Sequence, residues 1–276
     1  MPRVLKTKQI YDLLKPSFQG SSDVEYSSFR SLILWARFED TGPVDSTGGR
    51  GTTVRYIDQD DNINSDLAKS MVTTGNSLGM KVIAQVTEMD NPIGMMFGNS
   101  HEIAECIQCL KGEGPEDTME LVYAQADSLG YDIRPNIADG SALAEFRNMC
   151  IRQGVSEKDI DQIIGSPWSK LERSPNSVEI VSTSSGWITD IHALTIGEIL
   201  CKLGAGRTGE NPEINHGVGA ELLVQRGSFI EEGNAWIRFD TESDMPMEMI
   251  DQVQDALTVS DSEVGITSRI LQIIEE

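Results

Sequence analysis

The feature that most restricts this chain is a series of apolar segments at helical spacing, cut by glycine and proline and interrupted once by a short apolar run. Leu67, Met71, Val72 and Leu78 fall near one face of a helix that Ser65 or Asp66 can cap and Gly79 can stop. Residues 81–86 are short and mostly apolar, which predicts a buried strand. Ile103, Ile107 and Leu110 recur at helical spacing over 100–110. Gly112, Gly114 and Pro115 break that segment, and 116–129 resumes it with Met119, Leu121, Val122 and Ala126. A further helix is expected over 142–153. Helix, strand and helix in this order predict an α/β fold, a sheet flanked by helices, across residues 65–170.

Beyond Lys170 the pattern becomes β-rich. Residues 178–181 alternate apolar and polar, and 186–188 with 190–192 read as a second strand. A helix over 195–203 closes at Gly204; strands follow at 219–224 and 235–239, with turns at Gly227 and Gly233. Residues 247–257 read as a helix, and 267–274 as a strand or a short amphipathic helix. A β-rich α+β domain over 171–276 is therefore expected. Residues 1–64 read poorly as an autonomous domain: a short helix around Ile10, Leu13 and Leu14, an apolar stretch from Phe29 to Phe38, and a glycine-rich turn at 47–51.

Charge narrows the partners. Twenty-two Lys and Arg against 44 Asp and Glu give a net charge of -22, which repels nucleic-acid phosphates, and no basic run offers a local exception. No apolar run approaches the roughly 20 residues of a membrane span, and the basic start has no apolar core behind it. Cys106 and Cys109 form a lone CxxC within a helical pattern, where that spacing puts two small side chains on one face; with Cys150 and Cys201 they read as structural thiols of a reduced, cytoplasmic protein. None of His101, His192 and His216 shows metal-ligand spacing, so no metal or other cofactor is expected. Gly204 to Arg207 reads as a helix end rather than a nucleotide loop. The hairpin from Gly227 to Gly233 is similar to biotin- and lipoyl-carrier turns but has no lysine at its tip.

Three blocks carry a family resemblance. Asn91-Pro92-Ile93-Gly94 leads to Gly98-Asn99, Glu102 and then Leu110-Lys111-Gly112-Glu113-Gly114-Pro115-Glu116-Asp117. Ser185-Gly186-Trp187-Ile188-Thr189-Asp190-Ile191 is followed by Ile196-Gly197 and Leu203-Gly204-Ala205-Gly206-Arg207. Gly217-Val218-Gly219, Arg226-Gly227, Glu232-Gly233 and Trp236-Ile237 form the third. Together they resemble the pyrimidine-nucleoside (thymidine) phosphorylases from about residue 65 to 259. Upstream, Gly42-Pro43-Val44-Asp45-Ser46-Thr47-Gly48-Gly49-Arg50-Gly51 resembles that family's phosphate loop, without the Lys-His pair that precedes its Ser-Thr-Gly-Gly.

The resemblance implies phosphate-dependent cleavage of a pyrimidine nucleoside to free base and pentose 1-phosphate. It assigns phosphate binding to Ser46, Thr47, Gly48, Gly49 and Thr53, because glycines let backbone N–H groups converge on an anion and hydroxyls add donors. Arg50 and Thr52 flank this loop, and no catalytic residue is assigned. The Arg, Ser and Lys by which the family grips the base have no match, since the segment between the loop and the helix at 65 is short. Two readings stay open: an enzyme of this family, or a catalytically inactive relative acting as a binding or interaction protein. The resemblance further implies a homodimer or association with a full-length relative, with no nucleic-acid or membrane partner.

Overall fold

The computed structural model describes residues 31–32, 61–79, 81–206 and 213–275. The chain divides into two compact units, residues 1–84 with 273–276, and residues 85–272. In the first, the helix Asp61–Ser77 packs on the strand Lys81–Val82, which pairs in parallel with Ser31–Leu32. A Cβ at Gly75 would stand 2.2 Å from Val82 Cγ2, so the glycine sets how closely helix and strand approach. Asn76 Oδ1 accepts the Val82 N–H at 3.2 Å. The helix begins at Asp61, four residues before the Ser65 expected as its cap.

The second unit is α/β, with helices and several antiparallel sheets. Its helices Asn99–Leu110, Glu116–Ser128 and Ser141–Arg152 match the sequence periodicity within one or two residues. Two more, Arg134–Ala138 and Glu157–Gly165, were not expected. Arg134–Ala138 is barely more than one turn and carries Pro135 in that turn, while Glu157–Gly165 is short and, of its apolar stripe Ile160, Ile163 and Ile164, buries only Ile160 fully. Ser156 caps the latter through Asp159 N–H at 3.1 Å.

Four antiparallel strands run in the order Met96–Phe97, Gly219–Leu222, Ala235–Thr241 and Asn176–Val181. Three more run Leu257–Ser260, Gly186–Ile191 and Phe229–Ile230, and Ala84–Thr87 pairs with Ile270–Ile274. Along 186–191 Ile188 and Ile191 point inward while Trp187 and Thr189 do not. Inward residues of both larger sheets (Ile180, Ile188, Ile237, Phe239) meet Ile199 of the helix Ala193–Leu203 and Val253 of the helix Met247–Gln254 in one core. Burying each such side chain contributes about 1.5–3 kcal/mol. Gly204, at φ 107, closes the 193–203 helix as its left-handed cap.

Three boundaries differ from expectation. The apolar run 81–86 breaks at Ile83 into two strands, the second partly rather than fully buried. The segment read as one helix over 247–257 stops at Gln254, and Leu257–Ser260 becomes a strand because Gly186–Ile191 offers it an antiparallel ladder. Residues 267–274 resolve as a strand, Ile270–Ile274.

Candidate functional site

The phosphate loop expected at Ser46, Thr47, Gly48, Gly49 and Thr53, with Arg50 and Thr52, lies outside the described residues. Among the described residues, the segment 91–117, which carries the longest of the three sequence blocks, folds into the densest polar cluster.

That cluster grows from a turn. Gly94 has φ 76, and a Cβ there would stand 2.3 Å from Glu105 Oε2, so only glycine fits. With the backbone thus free to approach, Glu105 Oε1 accepts the N–H of Met95 at 2.6 Å and of Met96 at 3.1 Å. Asp117, in the first turn of Glu116–Ser128, accepts the Gly94 N–H at 3.2 Å. Arg269 closes the other side: its Nη2 donates to the Pro92 carbonyl at 2.6 Å and to Asp117 Oδ2 at 3.0 Å, and its Nη1 to Glu88. Asn91 ties the turn to the β-rich half. Its Nδ2 donates to Glu88 at 3.1 Å and to Asp190 at 2.8 Å, while its Oδ1 accepts the Ile191 N–H at 2.7 Å.

Burial pushes Glu105 up to about 6 against the pull of its two N–H partners, with repulsion from Asp117 and Glu102 adding to the rise. Burial also raises Glu102, offset in part by the Gly98 N–H and by His101. Glu88 moves the other way: burial opposes its charge, but bonds from Asn91 and the Arg269 guanidinium outweigh it. The carboxylates of Glu88, Glu105, Asp117 and Asp190 outnumber the one guanidinium, so the cluster repels anions and holds a turn rigid rather than a phosphate. The linkage of Glu105 has a definite sign. Between its ordinary 4.5 and about 6 the folded protein keeps a proton that the unfolded chain has lost, so stability falls as pH rises through that window. Glu105→Gln keeps an acceptor and has no proton to lose. Its stability relative to the parent is expected to improve between about pH 4.5 and about pH 7, as read by urea unfolding at both; a pH-independent difference would refute this.

A second cluster joins helix to sheet. His101 is buried in Asn99–Leu110, and its Nε2 lies 2.8 Å from Asp240 Oδ2 on the strand Ala235–Thr241. Arg173 Nε donates to the same oxygen at 2.6 Å. Trp168 packs edge-on to the His101 ring at 4.9 Å and under the Arg173 guanidinium at 4.8 Å. A Cβ at Gly219 would stand 2.1 Å from His101 Nδ1, so that nitrogen faces backbone and has no hydrogen-bond partner. Asp240 is held below the ordinary carboxylate range: burial opposes its charge, but bonds from His101 and Arg173 and the Arg173 charge prevail.

Sequence reading gave neither His101 nor Asp117 a functional role. It did not find Arg269, Asp240, Arg173 or Asp190, whose partners lie 67 to 181 residues away along the chain. His192, expected in a strand, is the cap residue of Ala193–Leu203, with Nδ1 2.7 Å from Thr195 Oγ1. Cys106, Cys109 and Cys150 are free thiols, and burial pushes Cys109 up to about 11, which keeps it a thiol. Among the described residues no three His, Cys, Asp or Glu side chains are grouped to hold a metal ion, and no helix is long and apolar enough to cross a membrane.

Residues 187–260 match the pyrimidine nucleoside phosphorylase C-terminal domain. Thymidine phosphorylase of Rattus norvegicus is 35% identical over 190 residues, covering 63% of this chain and 40% of the relative. The Homo sapiens thymidine phosphorylase is 32% identical over 214 residues, 71% of this chain and 44% of the relative. Pyrimidine-nucleoside phosphorylase of Bacillus subtilis (strain 168) is 30% identical over 209 residues, 71% of this chain and 47% of the relative. The chain belongs to the pyrimidine-nucleoside phosphorylase family. It spans less than half the length of these three relatives. Within the phosphorylase C-terminal domain fall the strands Gly219–Leu222 and Ala235–Thr241 with their Asp240, and the strand Gly186–Ile191 with Asp190, which receives Asn91.

Proposed function

We propose that this chain acts with inorganic phosphate on a pyrimidine nucleoside, releasing the free base and a pentose 1-phosphate, at a turnover far below that of its longer relatives. In this reaction a phosphate oxygen forms a bond to the anomeric carbon while the carbon–nitrogen bond breaks and its electron pair leaves with the base. Positive charge gathers on the sugar ring and negative charge on the pyrimidine, so a site needs both a held phosphate and donors facing the base. Ser46, Thr47, Gly48, Gly49 and Thr53 are the groups proposed to hold the anion, by backbone N–H groups and hydroxyls. Family membership carries the reading, together with the Gly-Pro-Val-Asp-Ser-Thr-Gly-Gly order of that loop. The turnover is set low because the loop lacks the Lys-His pair and no Arg, Ser and Lys set matches the family's base grip. Loss of even one transition-state donor typically costs on the order of a hundredfold.

The second reading, a catalytically inactive relative that binds or associates, rests on the same two departures. In either case the cytoplasm is the proposed location, and a homodimer or pairing with a full-length relative the proposed assembly. Thymine or uracil release from thymidine or uridine with phosphate decides between the readings. The expected rate is at least about a hundredfold below that of the Bacillus subtilis relative, with the residual rate lost in Ser46→Ala/Thr47→Ala. A rate equal to the relative's would refute the low turnover. No phosphate-dependent release at any protein concentration would establish the second reading.

A further inference from the structure

The three-stranded sheet turns a face away from the core that neither cluster above uses. Trp187 and Phe229 sit opposite each other across its strands, rings 5.6 Å apart and edge to face. Phe229 is 53% exposed. Gly227 brings a third apolar group alongside: a Cβ there would stand 3.1 Å from Ile266 Cγ1 and 3.2 Å from the Val264 carbonyl. Ile266 is 77% exposed. Isolated exposed apolar residues are ordinary, but an aromatic pair with an aliphatic side chain packed beside Gly227, two residues before Phe229, concentrates apolar surface at this edge of the sheet.

Register fixes what surrounds it. Ser260 pairs with Trp187, so exposed Asp261 and Glu263 follow at that end of the sheet. Gly186 pairs with Ile230, and the Glu232 N–H donates to Ser185 Oγ at 2.8 Å, which puts exposed Glu231 and Glu232 at the same end. Arg226, at the other end, is tethered through its Nε to the Thr189 carbonyl at 2.8 Å. We infer that this face, Trp187, Phe229 and Ile266 bordered by Glu231, Glu232, Asp261 and Glu263, is a docking surface for a basic, apolar-containing polypeptide segment of another protein. The border selects cations, and aromatic faces add cation–π attraction for Lys or Arg. A second copy of the chain is a poor occupant of this face, because in a two-fold contact the border of Glu231, Glu232, Asp261 and Glu263 would meet its own like charges. The inference does not depend on the phosphorylase reading.

Fluorescence anisotropy of a labelled alternating Lys-Leu peptide, titrated with the whole protein, tests it, with an alternating Glu-Leu peptide as control. The Lys-Leu peptide is expected to bind at least about tenfold more tightly than the control, and to weaken as salt shortens the screening length. Phe229→Ser with Ile266→Ser, both exposed positions, is expected to weaken it at least about tenfold, while circular dichroism and unfolding midpoint stay those of the parent. Equal affinity for both peptides, binding unchanged in the double variant, or no binding of either would overturn the inference. So would concentration-dependent dimerisation lost in the same variant, which would assign the face to a second copy.

Discussion

Arg269→Ala is expected to lower folding stability by about 3 kcal/mol. Arg269 is 9% exposed, and its guanidinium serves Glu88, Asp117 and the Pro92 carbonyl together, so its removal strands two carboxylates and one carbonyl at once. Leaving a buried charge without its partner costs more than the pair ever contributed. Arg269→Lys restores the charge but not the fork that reaches three acceptors, and should recover less than half of the loss. Urea unfolding of both variants, with a double-mutant cycle through Asp117→Asn, measures the coupling. A midpoint within experimental scatter of the parent for Arg269→Ala would show that water satisfies these carboxylates and that the clamp contributes nothing.

Asp240→Ala should cost a comparable amount, about 3 kcal/mol, for a different reason. Asp240 is 2% exposed and is the acceptor for both His101 and Arg173. Without it the buried imidazole loses its one hydrogen-bond partner, and a cavity opens beside Trp168. Asp240→Asn keeps the volume and one acceptor and should lose less. Both native carboxylates also predict an acid limb. The pKa values of Asp240 and Glu88 lie below their ordinary 3.8 and 4.5, so the folded state sheds protons more readily than the unfolded chain. The stability they confer is present above those ordinary values and is lost as pH falls through the lower folded ones. Asp240→Ala should therefore flatten the acid limb as well as lower the plateau; an acid limb as steep as the parent's would place that linkage elsewhere.

Much of the helical half was legible because its signal is local. Ile103, Ile107 and Leu110 mark one face of Asn99–Leu110, and the Gly112–Pro115 break separates it from Glu116–Ser128 without any knowledge of what either packs on. Glu157–Gly165 was missed although its signal is local too: Ser156 and Asp159 form its cap, and Ile160, Ile163 and Ile164 recur at helical spacing over only nine residues. Strand Leu257–Ser260 was missed, with Leu257 taken into the preceding helix, because its conformation is imposed by Gly186–Ile191, more than sixty residues earlier. The glycine–hydroxyl loop expected around Ser46 rests on residue order alone and lies outside the described residues.

The sequence by itself determined the α/β class, the main helices, the β-rich second half and the family, since periodicity, punctuation and residue order are written along the chain. Only the tertiary structure decided that Asn91, Asp117 and Arg269 share one turn, and that His101 and Asp240 join helix to sheet. Those partners are separated by 139 to 178 residues or lie across Gly94, and a buried charge carries no mark in the sequence of which distant charge will answer it.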